Sequence, residues 1–326
     1  MKETIRQLVE AWGPSGYEYQ IREMILEMVR GLIDEYRVDT MGNLICRVGS
    51  GGLKVMIATH MDEIGVMVNY VGDKGFLRFD SIGRLLLTSL HGSRVKFSNG
   101  MLGIIGLENP WKRTEVPRIE EFFIDVGSIG DHNVGVGDPA TMWSRFCDRD
   151  TWLVGKSMDN RINCAIAIEV IRQLRSTPHE LYWVFTVQEE VGMRGAGPVS
   201  FGVQPDLGIA LDVINSGDEP KVQNVNIRLG DGPAIKVRDR YQLVPRPLVE
   251  LMLRRAKEAN IKYQLEARDL GGTDGAAIQA SRTGIPAGSI CIPTRYLHTS
   301  SEVVDYRDVL GVTELLKAFL VQPIEW

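Results

Sequence analysis

From Gly155 onward the chain alternates between stretches of helical and of strand-like apolar spacing, and this alternation restricts the fold more than any other feature. The runs are 162–174, 181–187, 207–213, 248–259, 263–267, 276–280, 289–292 and 309–320. Strands that alternate with helices form a sheet whose faces the helices cover. Between residues 66 and 154 the texture changes to short apolar runs separated by glycine, at 76–79, 94–97, 102–107 and 122–126. Strand-like runs at 44–48 and 55–59 resemble those of the second half. The predicted architecture is therefore α/β: a mixed sheet flanked by helices, built from residues 1–66 and 155–326 and interrupted by a small β-barrel-like insert, residues 67–154.

Two local readings refine this picture. Ser15 and Glu18 form a capping-box pattern ahead of an apolar helix face made by Ile21, Met24, Ile25, Met28, Val29, Leu32 and Ile33. Gly49-Ser50-Gly51-Gly52 separates the runs 44–48 and 55–59 as a hairpin-like break. At 326 residues and 44% hydrophobic the chain can bury a large core. Its formal charge of -5 is spread without a basic block, which argues against nucleic acid and anionic membrane surfaces as partners. The amino terminus lacks the apolar core of a signal peptide and no run is long enough to span a bilayer, so a cytoplasmic location is expected. Cys46, Cys147, Cys164 and Cys291 are scattered, as reduced structural thiols would be.

Chemistry gathers where apolar runs end. His60 closes the run 55–59, and in open α/β sheets ligands bind beyond the carboxyl ends of strands. A metal-bound imidazole gives its other ring proton to a carboxylate or carbonyl, a part Asp62 could take; the plainer alternative is a structural histidine. Asp159 opens a helix, either as its N-cap or as a ligand. Glu189 and Glu190 end the strongly apolar run 181–187, where unpaired charge is unfavourable and a positive partner is expected. Asp212 lies inside the apolar run 207–213, and His298 follows 289–292. Each has a bland explanation, but this set, with no cysteine ligand and no nucleotide loop, suits two divalent ions. Paired hydrolytic ions sit about 3.5–4 Å apart and usually share a carboxylate. Asp159 is assigned the bridge, His60 and Asp212 one ion, Glu190 and His298 the other, each ion keeping an open position. Glu189 is left free; with its side chain diverging from its neighbour's, it is the general base that activates a metal-bridging water and later protonates the leaving amine. Such ligands suit zinc, cobalt and manganese alike.

At these motifs the sequence resembles the TET-type (tetrahedral dodecameric) family of co-catalytic di-metal aminopeptidases, relatives of the leucyl, glutamyl and deblocking aminopeptidases. The matching stretches span nearly the whole chain: Ala58-Thr59-His60-Met61-Asp62-Glu63-Ile64-Gly65, Gly155-Lys156-Ser157-Met158-Asp159-Asn160-Arg161, Val187-Gln188-Glu189-Glu190-Val191-Gly192, Ala210-Leu211-Asp212-Val213, Gly271-Gly272-Thr273-Asp274 and Thr294-Arg295-Tyr296-Leu297-His298. The resemblance implies a zinc-exopeptidase-like fold and two divalent metal ions per subunit, one held by His60, Asp159 and Asp212, the other by Asp159, Glu190 and His298. It implies Glu189 as base and Asp62 as the residue orienting His60. It further implies short peptide substrates, dimerisation through the inserted domain, and a hollow homo-oligomer, a dodecamer built from dimers. Asn160 and Asn163 depart from the family pattern, which favours Asp and Gly there; neither is an expected ligand.

Other readings compete. Gly155-Lys156-Ser157 lacks the upstream glycine of a phosphate loop. The stretch 271–275 reads equally as a flexible turn into a helix or as a loop lining the substrate pocket. His91, His132 and His179 are expected to be exposed or structural. A carboxypeptidase or deacylase could use the same ions and would differ in its pocket. A glycoside hydrolase, a name some members of the family have carried, needs carboxyls flanking the scissile bond about 5–9.5 Å apart, which adjacent acids serving one side do not offer. The complete ligand set and the base argue against a non-catalytic binding protein.

Overall fold

A computed structural model of the chain describes residues 1–72, 74–112, 115–127, 133–222 and 225–325. Helices α1 (Lys2–Glu10) and α2 (Tyr19–Val29) lead into strands β1 (Glu35–Val38), β2 (Leu44–Val48) and β3 (Lys54–His60). Strands β4 (Gly65–Val71), β5 (Leu77–Ile82), β6 (Arg94–Phe97), β7 (Leu102–Leu107), β8 (Phe122–Asp125) and β9 (Pro139–Met142) close into a barrel in the order β4-β5-β8-β7-β6-β9. Then follow β10 (Cys147–Arg149), β11 (Trp152–Gly155), α3 (Met158–Gln173), β12 (Glu180–Thr186), α4 (Ala196–Val203), β13 (Leu207–Asn215) and β14 (Ala234–Arg238). The chain ends with α5 (Arg246–Glu258), β15 (Gln264–Ala267), α6 (Asp274–Gln279), β16 (Ala287–Arg295), β17 (Glu302–Asp305) and α7 (Tyr306–Leu320). An 11-stranded mixed sheet runs β1-β2-β12-β3-β13-β16-β17-β11-β10, with β14 pairing β16 and β15 pairing β14. The α/β sheet with flanking helices and an inserted barrel is thus the architecture expected from the sequence. The barrel strands end at Met142, and β10 and β11 join the large sheet through β17.

Alternate residues of the central strands enter different cores. Val55 and Ile57 of β3, with Trp183 and Phe185 of β12, pack in the larger core beneath α1, α2, α3, α5 and α7, while Met56, Ala58 and Val184 face a second core under α4 and α6. Burial on both faces is why these strands read as continuous apolar runs rather than as alternating ones. Strands β12, β3, β13 and β16 lie side by side in parallel, so the residues that follow them are delivered to one edge. The barrel has its own core, with Val66, Val68, Phe79, Val95, Phe97, Ile105, Phe122 and Ile124 pointing inward at every second position.

Two local expectations are corrected. Strands β2 and β3 are not a hairpin, because β12 lies between them, antiparallel to β2 and parallel to β3. The glycines of the intervening turn serve a close approach instead. Gly49 and Gly52 have φ of 80° and 61°, and a Cβ would stand 2.7 Å from the His179 carbonyl oxygen at the first and 2.1 Å from that of Pro178 at the second. The Ser15–Glu18 capping box does not form either: no side chain caps α2. Both side chains bond near the carboxyl edge of the sheet.

Gly52→Ala combines a left-handed backbone with a clash against main chain, so we expect a loss of about 2 kcal/mol or more. Denaturant unfolding with an unchanged slope and an earlier midpoint would register it; wild-type stability would mean that the turn relaxes freely.

Candidate metal centre

The structure brings all seven residues singled out in the sequence to the carboxyl edge of the sheet. His60 ends β3, with its Nε2 3.0 Å from Asp159 Oδ1, 3.8 Å from Asp212 Oδ1 and 3.9 Å from Glu189 Oε2, and its Nδ1 3.3 Å from Asp62 Oδ1. His298 Nε2 lies 3.3 Å from Asp159 Oδ2 and 3.4 Å from Glu190 Oε2. Asp159 therefore turns one oxygen to each imidazole. His60, Asp62, Asp159 and Asp212 are buried, while Glu189, Glu190 and His298 are partly exposed.

Local structure explains this convergence. Asp159 and Asn160 leave helical geometry in the first turn of α3, and Asp159 is not its N-cap. The Asp159 N–H donates to Glu302 Oε2 (3.0 Å), and Glu302 Oε1 accepts the His298 N–H (2.8 Å). One buried carboxyl at the start of β17 thus fixes Asp159 relative to the loop carrying His298. Sequence reasoning missed Glu302, although an acid leading into Val303-Val304-Asp305 gives the same kind of signal that singled out Asp212. Asn160 Nδ2 donates to the Leu211 carbonyl (2.7 Å) and Thr59 Oγ1 (3.2 Å), and Asn163 Nδ2 donates to Asn160 Oδ1 (2.6 Å). The two departures from the family pattern are thus one hydrogen-bonded pair beside Asp212 and His60.

Asp62 does more than face His60. Its Oδ1 accepts the N–H of Glu189 (3.0 Å), and its Oδ2 accepts the N–H of Glu190 (3.2 Å) and the Ser15 hydroxyl (2.6 Å). Asp274, in the stretch 271–275, accepts the Thr186 hydroxyl at the end of β12. Lys156 is buried, its Nζ 2.5 Å from Glu63 Oε2 and 2.9 Å from the Ala11 carbonyl, so it is engaged inside the protein and does not cradle phosphate. His179 is buried with Nε2 3.0 Å from the Gln322 carbonyl, a structural role, and His91 is exposed. His132 lies outside the described residues.

The electrostatics are those of a site short of positive charge. Among the described residues no lysine or arginine pairs with Asp159, Glu189, Glu190 or Asp212; their close partners are the two imidazoles. Burial, reinforced by neighbouring carboxylates, pushes the Glu190 and Asp212 carboxyls up to about 8 and Glu189 well above its ordinary range. Burial would lower the imidazoles, yet Asp159 and Asp62 hold His60 well above its usual value, and Glu190 with Asp159 raises His298 to about 10. Asp159 is held well below the carboxylate range because, against the effect of burial, His298 and His60 both favour its charge. Asp159 Oδ1 and Glu190 Oε1 are buried without a well-aligned hydrogen bond. Ligand atoms of His60, Asp159 and Glu190 all lie within 4.8 Å of one another. Hard oxygen donors, neutralisable imidazoles and a surplus of carboxyls fit divalent cations.

The sheet thus carries an imidazole–carboxylate cluster at the carboxyl edge of its parallel strands, the place where open α/β sheets bind ligands. Residues 42–315 match the M42 glutamyl aminopeptidase family, and the chain belongs to that family. It is 39% identical over 320 residues to a putative aminopeptidase of Acetivibrio thermocellus, covering 97% of each chain. An aminopeptidase from the archaeon Desulfurococcus kamchatkensis has the same fold, with a TM-score of 0.94 at 34% identity over 98% of this chain and 94% of that one. The TET1 peptidase of Pyrococcus horikoshii, which can assemble into a tetrahedron or a large octahedral shell, gives 0.88 at 28% identity over 98% and 99%. The resemblance to TET aminopeptidases is thereby established. Among the described residues no helix is long and apolar enough to cross a membrane.

If the cluster is a metal centre, divalent ion at a hundredfold over its Kd adds about 2.7 kcal/mol to the folded state. Zinc, cobalt or manganese added to chelator-stripped protein should raise its thermal midpoint, and His60→Ala should blunt the rise. An unmoved midpoint with all three ions would remove the cluster from candidacy.

Proposed function

We propose that the chain is a metal-dependent aminopeptidase that releases N-terminal residues from short peptides, with two divalent ions, zinc, cobalt or manganese, and with Glu189 as general base. The observation that carries the reading is Asp159, which faces His60 with one oxygen and His298 with the other. Around it fall two ligand groups, His60, Asp159 and Asp212 on one side and Asp159, Glu190 and His298 on the other. When bound, the ions polarise the scissile carbonyl and acidify a water enough for attack near neutral pH. Glu189 takes a proton from the attacking water and gives it to the departing amide nitrogen, so that the products are a free amino acid and a shortened peptide. Asp62 holds His60 from behind and fixes the amide of Glu189 itself.

Family membership and the aminopeptidases among its relatives support this reading over a carboxypeptidase or deacylase. The reading includes a homo-oligomer, a dodecamer built from dimers, in which the insert expected at residues 67–154 dimerises through its barrel, whose strands run from Gly65 to Met142, and residues 1–66 with 155–326 carry the chemistry. The shells formed by the TET1 peptidase support it, as does apolar surface on the barrel: Trp111 is 95% exposed, and Leu102 and Ile104 of β7 stand outward. A cytoplasmic location completes the reading.

The test is hydrolysis of free and N-acetylated aminoacyl-p-nitroanilides with and without chelator. Metal-restored cleavage of the free substrates alone is expected; cleavage of blocked ones would favour a deacylase. Glu189→Gln should keep its ions and lose about a hundredfold or more in kcat, and Asp159→Ala should lose both ions. Full turnover in the first variant, or full metal content in the second, would sink the corresponding role.

A further inference from the structure

Four consecutive backbone amides after β12 are each taken by a side chain from elsewhere in the chain. The N–H of Val187 donates to Asn43 Oδ1 (3.0 Å), that of Gln188 to Glu18 Oε1 (3.1 Å), that of Glu189 to Asp62 Oδ1 (3.0 Å) and that of Glu190 to Asp62 Oδ2 (3.2 Å). Neither sheet nor helix offers acceptors for these four N–H groups; the carbonyls of Val187, Gln188 and Glu189 take the amides of Gly195, Arg194 and Gly192, so that turn and the side-chain acceptors together set the conformation of the run. Gln188 has φ 56°, a left-handed backbone that a non-glycine residue holds only when its surroundings over-determine it. Its amide is the one that Glu18 accepts.

Glu18 is itself fixed. It is 5% exposed, and the same Oε1 also accepts the Gly16 N–H at 2.8 Å. Three residues before Glu18 the segment is pinned by the Ser15 N–H on the Glu63 carbonyl (3.2 Å) and by the Ser15 hydroxyl on Asp62. Its carboxyl does not cap α2, so helix capping does not account for a buried acid at this position.

We propose that Glu18 is a positioning residue for the reaction: by accepting the Gln188 amide it sets the left-handed turn that aims Glu189 and Glu190 into the site. The inference rests on the reading of Glu189 as base. Glu18 makes no hydrogen bond or ion pair with the two imidazoles or the cluster carboxyls; its tie to the loop is the Gln188 amide, and the repulsion between its charge and that of Asp62 is what the charge-removing variant below isolates.

Two full-length variants separate acceptor position from charge. Glu18→Gln keeps an acceptor oxygen at the same reach and removes the charge; Glu18→Asp keeps the charge and withdraws the acceptor by one methylene. With the aminoacyl-p-nitroanilide that the wild type cleaves best, Glu18→Asp should lose about ten- to a hundredfold in kcat, the scale of an ångström of misplacement. Its KM, bound metal and thermal midpoint should stay near wild type, and hydrogen exchange should quicken at the amides of 187–190. Glu18→Gln should keep kcat within a few-fold of wild type and slow exchange. An active Glu18→Asp beside an inactive Glu18→Gln would overturn the proposal, because charge would then matter and acceptor position would not. So would a fall in midpoint or bound metal that accounts for all the lost activity, since Glu18 would then be merely structural. Glu189→Gln is measured alongside. Full turnover there brings down the reading of Glu189 as base, whereas an inactive Glu189→Gln beside a fully active Glu18→Asp brings down only the role of Glu18.

Discussion

The carboxylate of Asp159, held between two imidazoles, is the contact on which the rest of the site depends. Its oxygens face His60 on β3 and His298 beyond β16, strands separated in the sheet by β13, which carries Asp212. A regular first turn of α3 would have aimed the side chain along the helix surface. The departure of Asp159 and Asn160 from helical angles turns it inward, and the Glu302 carboxyl fixes both its amide and that of His298. Parallel strands supply the coarse convergence, and acids behind the cluster supply the fine one.

This arrangement carries an electrostatic penalty that the protein does not relieve internally. Glu190, Asp212 and Glu302 are all pushed up to about 8, chiefly by burial. Replacing Glu190 or Asp212 with an apolar residue would ease repulsion, which is the mark of groups kept for something other than stability, whereas Glu302 holds two backbone amides. Cations would reverse the balance: under the proposed reading Glu190 and Asp212 would become ligands, and binding would couple to folding.

Much of this was legible in the sequence because it depends on local contrast. A charged residue inside or just after an apolar strand stands out, and His60, Glu189, Glu190 and Asp212 were visible for that reason. The α/β sheet and the inserted barrel were visible for a related one, since burial on two faces and burial on one leave different periodicities. What escaped was pairing and partnership. The intrusion of β12 between β2 and β3 is a long-range choice that the glycine-rich turn at 49–52 does not encode, and Asn43, a single buried amide between Gly42 and Leu44, carries no pattern at all.

Ser15 and Glu18 show why such errors take the form they do. A short hydroxyl and an acid three residues on, ahead of an apolar helix, are what a capping box needs, because both side chains can reach free backbone amides. The chemistry was inferred rightly and its target wrongly: both residues do lie near unpaired amides, but those of Glu189, Glu190 and Gln188 compete with the helix start and win. Ser15 reaches them through Asp62, and Glu18 reaches Gln188 directly. Helix α2 then begins without a side-chain cap, at an ordinary cost of about 1 kcal/mol. A loop that follows a strand, by contrast, has no ladder of its own to satisfy four successive N–H groups. Leaving buried donors there unpaired would cost about 1–3 kcal/mol each, so the acceptors are placed where the larger penalty lies.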